Sequence, residues 1–540
     1  MKFIYKALFL LLSITLISSC AKTGRPDGGP KDELAPLFVI SNPPYKTINF
    51  SKKEVKLEFN EFIKLKDLNK QLVVSPPLKS PLLITPQGTA SKFLKIEILD
   101  TLAPNTTYIF NFGNAIEDNN ESNKLEGFKY IFSTGTYIDS LKTSGSITNA
   151  FINEDPKKTN ILLYRIDSTF TDSIIYKQKP NYVTTALDTT KFNFTNLKKG
   201  NYLLLALKEN SSDYIFDPKV DEIGFHTAII TLPKDSIIIK PIKLFKETQT
   251  YRFKRAKEVS KGKIEFGYEG KIKDLKIALL SKVPDSFRSI SRFEIDKDTL
   301  SYWHTPIEVD SLNFTVSNGI FLDTVTVQFR KNKLDSLKIT PSTSSTLHLR
   351  DTFFIKSNNP IIKIDTSKIS FIDKDTLRVK YSSYISKKEN KIGFIFEKKQ
   401  KEKYRLKALP GSFTDIYKTE NDSLNYNFKT IELEDYGRIT LNIVNTDSKN
   451  LIIDLLSGKN NDKIIERRYL TASETLVFTL LQPKTYTVRA IIDDNNNKKW
   501  DTGNYLLKKL PENVIYFEEA LEVRANYFLE GNTFTIKAIN

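Results

Sequence analysis

The sequence predicts an all-β chain of tandem β-sandwiches, and three observations carry that reading. Short segments alternate apolar and polar residues, as in Val55-Lys56-Leu57-Glu58-Phe59, Thr324-Val325-Thr326-Val327-Gln328-Phe329, Leu377-Arg378-Val379-Lys380-Tyr381 and Phe534-Thr535-Ile536. That period belongs to antiparallel strands packed on a core from one side, and no window sustains a helical period instead. The chain carries 36 Phe and 24 Tyr, bulk suited to the layer between two sheets. At 540 residues it is too long for one sandwich and implies about three to five domains.

The first element is a secretory signal over residues 1–19. Lys2 and Lys6 precede an apolar run from Ala7 to Ile17, followed by Ser18, Ser19 and Cys20. The run is about 11 residues, whereas a spanning helix needs roughly 20. Ile17-Ser18-Ser19-Cys20 resembles the bacterial lipobox. The resemblance implies cleavage before Cys20, a diacylglyceryl thioether on its sulfur and an N-acyl chain such as palmitate. Two or more acyl chains hold a protein firmly on a bilayer. Ala21 stands where the lipoprotein family places an inner-membrane retention Asp, so outer-membrane sorting is expected, on either face. Residues 20–36 are rich in Gly, Pro and charge, as a tether is. Within them Gly24 to Asp32 (GRPDGGPKD) resembles the start of Bacteroidota lipoproteins that carry Ig-like domains.

The remaining chain contains an internal repeat. Phe194, Thr195, Leu197, Tyr202, Ala206 and Asp217 recur at an offset of 284 as Phe478, Thr479, Leu481, Tyr486, Ala490 and Asp501, six identities in 24 positions. Chance gives about one or two. Upstream, Asn60, Ile63, Asp67 and Lys70 match Asn358, Ile361, Asp365 and Lys368, while Tyr108, Phe132 and Thr134 match Tyr404, Phe428 and Thr430. Two module types therefore occur twice in the same order. The first type, residues 37–136 and 347–431, resembles the SbsA-type bacterial Ig-like domain through Val55 to Lys64, the Leu102 to Tyr108 corner and the Ala115-Ile116-Glu117-Asp118 segment. The second type, residues 141–243 and 434–540, resembles the transthyretin-like or carboxypeptidase-regulatory-like sandwich through Leu197 to Tyr202 and Leu481 to Tyr486. Residues 244–346 are read as a fifth sandwich without a family. Modules of these kinds are mostly spacers or docking units, so the resemblance implies no activity.

Composition excludes several chemistries. With Cys20 alone, no disulfide within the chain and no cysteine-based zinc site can form. His226, His304 and His348 lie far apart and fit no metal-protease spacing, and each is read as a surface or strand histidine. No nucleophile elbow, P-loop or dinucleotide fingerprint occurs. The net charge of +17 falls to +15 once residues 1–19, with their two Lys and no acid, are removed.

Three local features remain as candidates. Residues 493–501 (DDNNNKKWD) place oxygen-bearing side chains at calcium-loop positions 1, 3, 5 and 9 as Asp493, Asn495, Asn497 and Asp501, suiting a hard cation such as Ca2+. Lys498 replaces the loop Gly and Asn504 the closing Glu, and the competing reading is an Asx-rich turn. The first-copy loop offers Glu209, Asp213 and Asp217, with Ser211 between them. Trp303 with Tyr302 and His304, and Trp500 beside the Asp loop, are candidate stacking platforms for sugar rings, against core or rim packing. The densest basic run is Arg252, Lys254, Arg255, Lys257, Lys261 and Lys263, either a solvated strand face or a patch for an anionic headgroup or glycan. The expected function is a non-enzymatic outer-membrane lipoprotein, a stalk of five sandwiches held by lipid at Cys20. Its expected partners are an envelope protein or an anionic glycan, not nucleic acid. The alternative is a glycan-binding accessory protein or an envelope hydrolase with its site in 244–346.

Overall fold

In the strand Glu54–Leu65, Val55, Leu57 and Phe59 are buried while Lys56 and Glu58 between them stay partly exposed, so this alternation folds as a one-sided strand, whereas the alternating residues 377–380 form only a single bridge, Arg378 to Ile372, and leave Leu377 exposed. The computed structural model describes residues 32–187, 189–295, 297–330, 332–458 and 463–537. The signal segment, most of the tether and Cys20 lie outside the described residues. Apart from the short helix Leu68–Gln71 and three single 3-10 turns, every described regular element is a strand.

The first sandwich packs a sheet ordered Phe38–Asn42, Glu54–Leu65, Ser91–Glu97, Leu83–Thr85 against a sheet ordered Val73–Ser75, Thr107–Asn111, Lys129–Ser133. Phe110, Phe112, Tyr130 and Phe132 fill the layer between them. The fourth sandwich repeats it down to single hydrogen bonds. Asn60 Oδ1 accepts the Leu37 amide at 2.6 Å, and Asn358 Oδ1 accepts that of Lys338 at 2.8 Å. The Tyr108 hydroxyl accepts the Ala103 amide at 2.9 Å, and the Tyr404 hydroxyl accepts the Lys399 amide at 2.9 Å. One difference is local: Glu54–Leu65 is continuous, whereas its counterpart divides at Pro360 into Phe353–Ser357 and Ile361–Ile364. Proline lacks the N–H that a continuous ladder uses.

The boundary expected at 346/347 moves upstream. Ile339–Pro341 pairs with Phe353–Ser357, and Leu337 and Ile339 pack on the core of the fourth sandwich. The third sandwich therefore ends with the strand Phe321–Gln328. It packs Arg252–Ser260, Lys263–Glu269, Thr299–His304 and Ser289–Phe293 on a second sheet of Leu275–Leu279, Ser311–Asn318 and Phe321–Gln328, around Phe266 and Phe314.

The second and fifth sandwiches share an unusual closure. In each, the last strand pairs in parallel with the first: Ile242–Leu244 with Leu141–Asn149, and Phe528–Ile536 with Gly437–Asn445. Tyr202 and Tyr486 each donate their hydroxyl to the carbonyl four residues back, Lys198 and Gln482, both at 2.9 Å. Asn196 and Leu480 occupy the same left-handed conformation at φ 58° and 50°.

The stalk expected from module order is not what forms, because the two copies of this second type touch. Tyr505 of the fifth sandwich, fully buried, joins a cluster with Leu162, Tyr164, Phe225 and Phe245 of the second. The chain thus folds back, and sandwiches two to five form a closed circuit.

Candidate functional site

The candidate calcium loop follows the strand Thr485–Ile492. Asp493 is 2% exposed. Its Oδ1 accepts the Asn497 amide at 3.0 Å and its Oδ2 the Lys498 amide at 2.8 Å. Asn495 and Asn497 are exposed, and their side-chain amides converge on Asp501 Oδ2 at 2.5 and 2.9 Å. The four residues are therefore brought together, but by bonding each other and the backbone. Asn496 and Lys498 take left-handed φ of 55° and 64°, a conformation that glycine and Asn enter most readily.

The first copy builds the same turn. Glu209 Oε2 accepts the Asp213 amide at 3.1 Å and Glu209 Oε1 the Tyr214 amide at 3.1 Å, again four and five residues on. Ser212 and Tyr214 carry φ of 57° and 62°. Ser211 donates to Glu209 at 2.7 Å. In both loops one carboxylate captures the two successive amides four and five residues on. Among the described residues, no three His, Cys, Asp or Glu side chains are grouped as a metal would require. The Asp493 carboxylate spends one acceptor position on each oxygen in holding these two amides.

Sequence reasoning missed Glu512, which closes the loop from the far side. It accepts the Asp494 amide at 3.1 Å and the Asp501 amide at 2.9 Å. Burial pushes its carboxyl above the usual range, and the neighbouring Asp501 and Asp493 add to the effect. Its carbonyl accepts the Trp500 indole N–H at 3.1 Å. Trp500 lies on Phe151 with ring centroids 4.5 Å apart, so it is packing between sandwiches and not an open sugar platform.

The loop's work is docking. Tyr505 donates its amide to Glu247 Oε1 at 2.6 Å and its hydroxyl to Asp172 at 3.2 Å. Thr502 Oγ1 donates to the Lys246 carbonyl at 2.7 Å, and the Tyr516 hydroxyl to the Phe151 carbonyl at 2.8 Å. The Arg489 guanidinium stacks over Phe151 at 4.2 Å. Arg489 also holds the fully buried Asp454, at 2.6 Å, together with Arg467, at 2.6 Å.

Tyr302 and the three histidines also resolve into packing or backbone bonds. Tyr302 and His304 are buried. His304 stacks between Phe287 and Phe329, and burial lowers its imidazole pKa below 6.5. His226 Nδ1 bonds the Ala228 carbonyl at 2.9 Å. His348 donates from Nε2 to the Leu480 carbonyl at 2.8 Å and accepts the Arg350 amide at Nδ1, joining sandwiches four and five. In the basic run, Arg252 and Lys254 both pair with Glu269, Lys261 with Glu308 and Lys263 with Glu265. Arg252–Ser260 is an edge strand with two register shifts, and charge plus bulging is how sheet edges avoid pairing with other chains.

Comparison with known proteins bears on the first sandwich most directly. Residues 32–134 match the bacterial Ig-like domain family. The two sheets and the tyrosine corner at Tyr108 are this Ig-like unit, and the fourth sandwich reproduces its bonding at Asn358 and Tyr404. Among solved structures, domains 5–6 of the S-layer protein SbsC align at 10% identity over 34% of this chain and 98% of theirs, with a TM-score of 0.18. Domains 4–9 of SbsC align at 10% identity over 84% of this chain and 66% of theirs, at 0.19. Titin domains A168–A170 align at 9% identity over 51% and 99%, at 0.14. At TM-scores this low the superpositions add nothing to the family match. No curated protein matches the chain.

Proposed function

We propose that the chain is a non-catalytic scaffold of the outer membrane, anchored by lipid on Cys20 and presenting β-sandwich surfaces to envelope proteins or glycans. The observation that carries this reading is that the motifs with chemical potential are spent on architecture. The Asp493 loop shapes a turn and docks two sandwiches, the histidines stack or bridge modules, and Trp500 packs on Phe151. A circuit of sandwiches locked by intrachain contacts holds its surface loops at fixed spacing, which suits positioning rather than turnover. The Ig-like match over residues 32–134 supports the structural role, and the lipobox-like Ile17 to Cys20 supports the anchor.

Cys20→Ala tests the anchor. The variant is expected in the soluble envelope fraction, whereas the parent chain sediments with membranes and takes up labelled palmitate. Retention of Cys20→Ala on the membrane refutes lipid as the main tether. Surface protease shaving of intact cells, with crosslinking, then reports facing and partner together.

A further inference from the structure

The third and fourth sandwiches enclose a cleft of about 330 Å3. Lys263, Arg292 and Trp303 line one wall, and Lys356, Lys388 and Lys391 the other. Two carboxylates also face it, but Glu389 is paired with Lys391 at 2.8 Å, and Glu294 accepts the Ser301 hydroxyl at 2.6 Å and lies 3.8 Å from Lys263. Lys356 and Lys388 are exposed and have no ion pair among the described residues. Cations gathered around one hollow repel each other, and an anion entering it relieves that repulsion.

A second observation points to a ligand in the same place. Arg292 is 8% exposed and Trp303 2%, yet Arg292 Nε and Trp303 Nε1 have no hydrogen-bond partner. Buried N–H groups are almost always satisfied. Neither residue is placed there by its own core. Leu300 and Tyr302 enter the core of the third sandwich, while Trp303, the next residue and so on the opposite face of the strand, lines the cleft under Lys263, whose Nζ lies 5.2 Å from the indole centroid. Arg292 crosses to the fourth sandwich, where its Nη1 donates to the Glu389 carbonyl and to Asn390 Oδ1 at 2.5 Å, leaving Nε unused. A larger hollow of about 540 Å3 on the fourth sandwich is also lysine-lined, but none of its lining residues carries a buried unpartnered group.

We propose that this cleft binds an oxyanion, a phosphate or carboxylate carried by a sugar-sized molecule. Arg292 Nε and Trp303 Nε1 serve as buried donors, Lys356 and Lys388 as the charged rim, and Lys263 as the cation over the indole. The volume suits a small ligand, and N–H groups from a cation and an indole suit oxyanion oxygens. This site goes beyond the scaffold reading and survives that reading's failure, since it requires neither a lipid anchor nor a membrane.

Isothermal titration of the full chain carrying Cys20→Ala, at constant ionic strength, tests it with inorganic phosphate, glucuronate, glucose 6-phosphate and glucose. Saturable heat is expected with at least one anion and none with glucose. Phosphate and glucose 6-phosphate alone assign a phosphate ligand, and glucuronate alone a carboxylate. Trp303→Phe, which keeps most of the ring and removes the N–H, is expected to weaken binding about tenfold. So is the surface pair Lys356→Glu with Lys388→Glu, which leaves the thermal midpoint unchanged and so separates binding from folding. No heat with any anion overturns the proposal, as does affinity unchanged in either variant.

Discussion

Replacing Tyr505 with Ala separates docking from folding. Its ring is fully buried, but the residues around it, Leu162, Tyr164, Phe225 and Phe245, belong to the second sandwich. Phe225 meets it edge-on at 5.6 Å. Truncating a buried aromatic costs about 3–5 kcal/mol, and here the cost falls on the contact between sandwiches and not on either core. The equilibrium between closed and open circuits should shift toward open by roughly a hundred- to several-thousand-fold. Tyr505→Phe loses only the bond to Asp172, a half-exposed partner that water can satisfy, and should cost about 0.5–1.5 kcal/mol. In a Cys20→Ala background, spin labels at Lys157→Cys and Lys484→Cys report the distance between the two sandwiches. Small-angle scattering reports the overall radius. Tyr505→Ala should broaden and lengthen the distance distribution and raise the radius, with far-UV circular dichroism unchanged. An unaltered distribution and radius in Tyr505→Ala would refute docking through this loop.

Three further outcomes follow from the geometry. Calcium titrated into the chain should give neither heat nor a rise in thermal midpoint, because Asn495 and Asn497 turn their side-chain N–H groups onto Asp501 and no three acidic side chains gather there among the described residues; a calcium-dependent rise would show that the loop reorganises around a cation. Asp454→Ala leaves the buried Arg489 guanidinium without its carboxylate and should cost about 3–5 kcal/mol in urea denaturation, so a loss below about 1 kcal/mol would contradict the buried pairing. His304 is held neutral by burial, with Thr305 and Glu258 opposing weakly, so its folded pKa lies below the unfolded 6.5. The unfolded chain then binds the proton first as pH falls. Stability from His304 is complete above 6.5 and declines as pH drops through that value toward the folded pKa. His304→Phe, which retains the stack with Phe287 and Phe329, should flatten the stability difference between about pH 7.5 and pH 5, and an unchanged slope would refute the assignment.

The repeat was legible because its residues bond within their own module. Asn60 and Asn358 tie a preceding strand, Tyr108 and Tyr404 tie a corner five residues back, and Tyr202 and Tyr486 a carbonyl four residues back. Bonds kept within one module survive as matching letters at a constant offset. The pairing of Ile339–Pro341 with Phe353–Ser357 was missed because three residues carry too little alternation to be read as a strand. Composition shows that the loop at 493–501 is rich in carboxylate and amide oxygens. What composition does not disclose is which way those oxygens point, and here those of Asp493, Asn495 and Asn497 point at backbone N–H groups and Asp501 Oδ2 at side-chain amides.

Local period and aromatic content were enough to give the all-β sandwich class, and matching letters at a constant offset gave the repeat, because strand alternation and corner chemistry are written within a few residues. The fold-back was not. Trp500 meeting Phe151, Tyr505 entering the cluster at Phe225, and Arg292 crossing to Asn390 join residues far apart in the chain. Contacts of that kind depend on how whole sandwiches orient, since each partner looks like an ordinary loop aromatic or strand cation until the other arrives. The same holds for the cleft between the third and fourth sandwiches: its cations are scattered along the sequence, and only the packing of two sheets gathers them around Trp303.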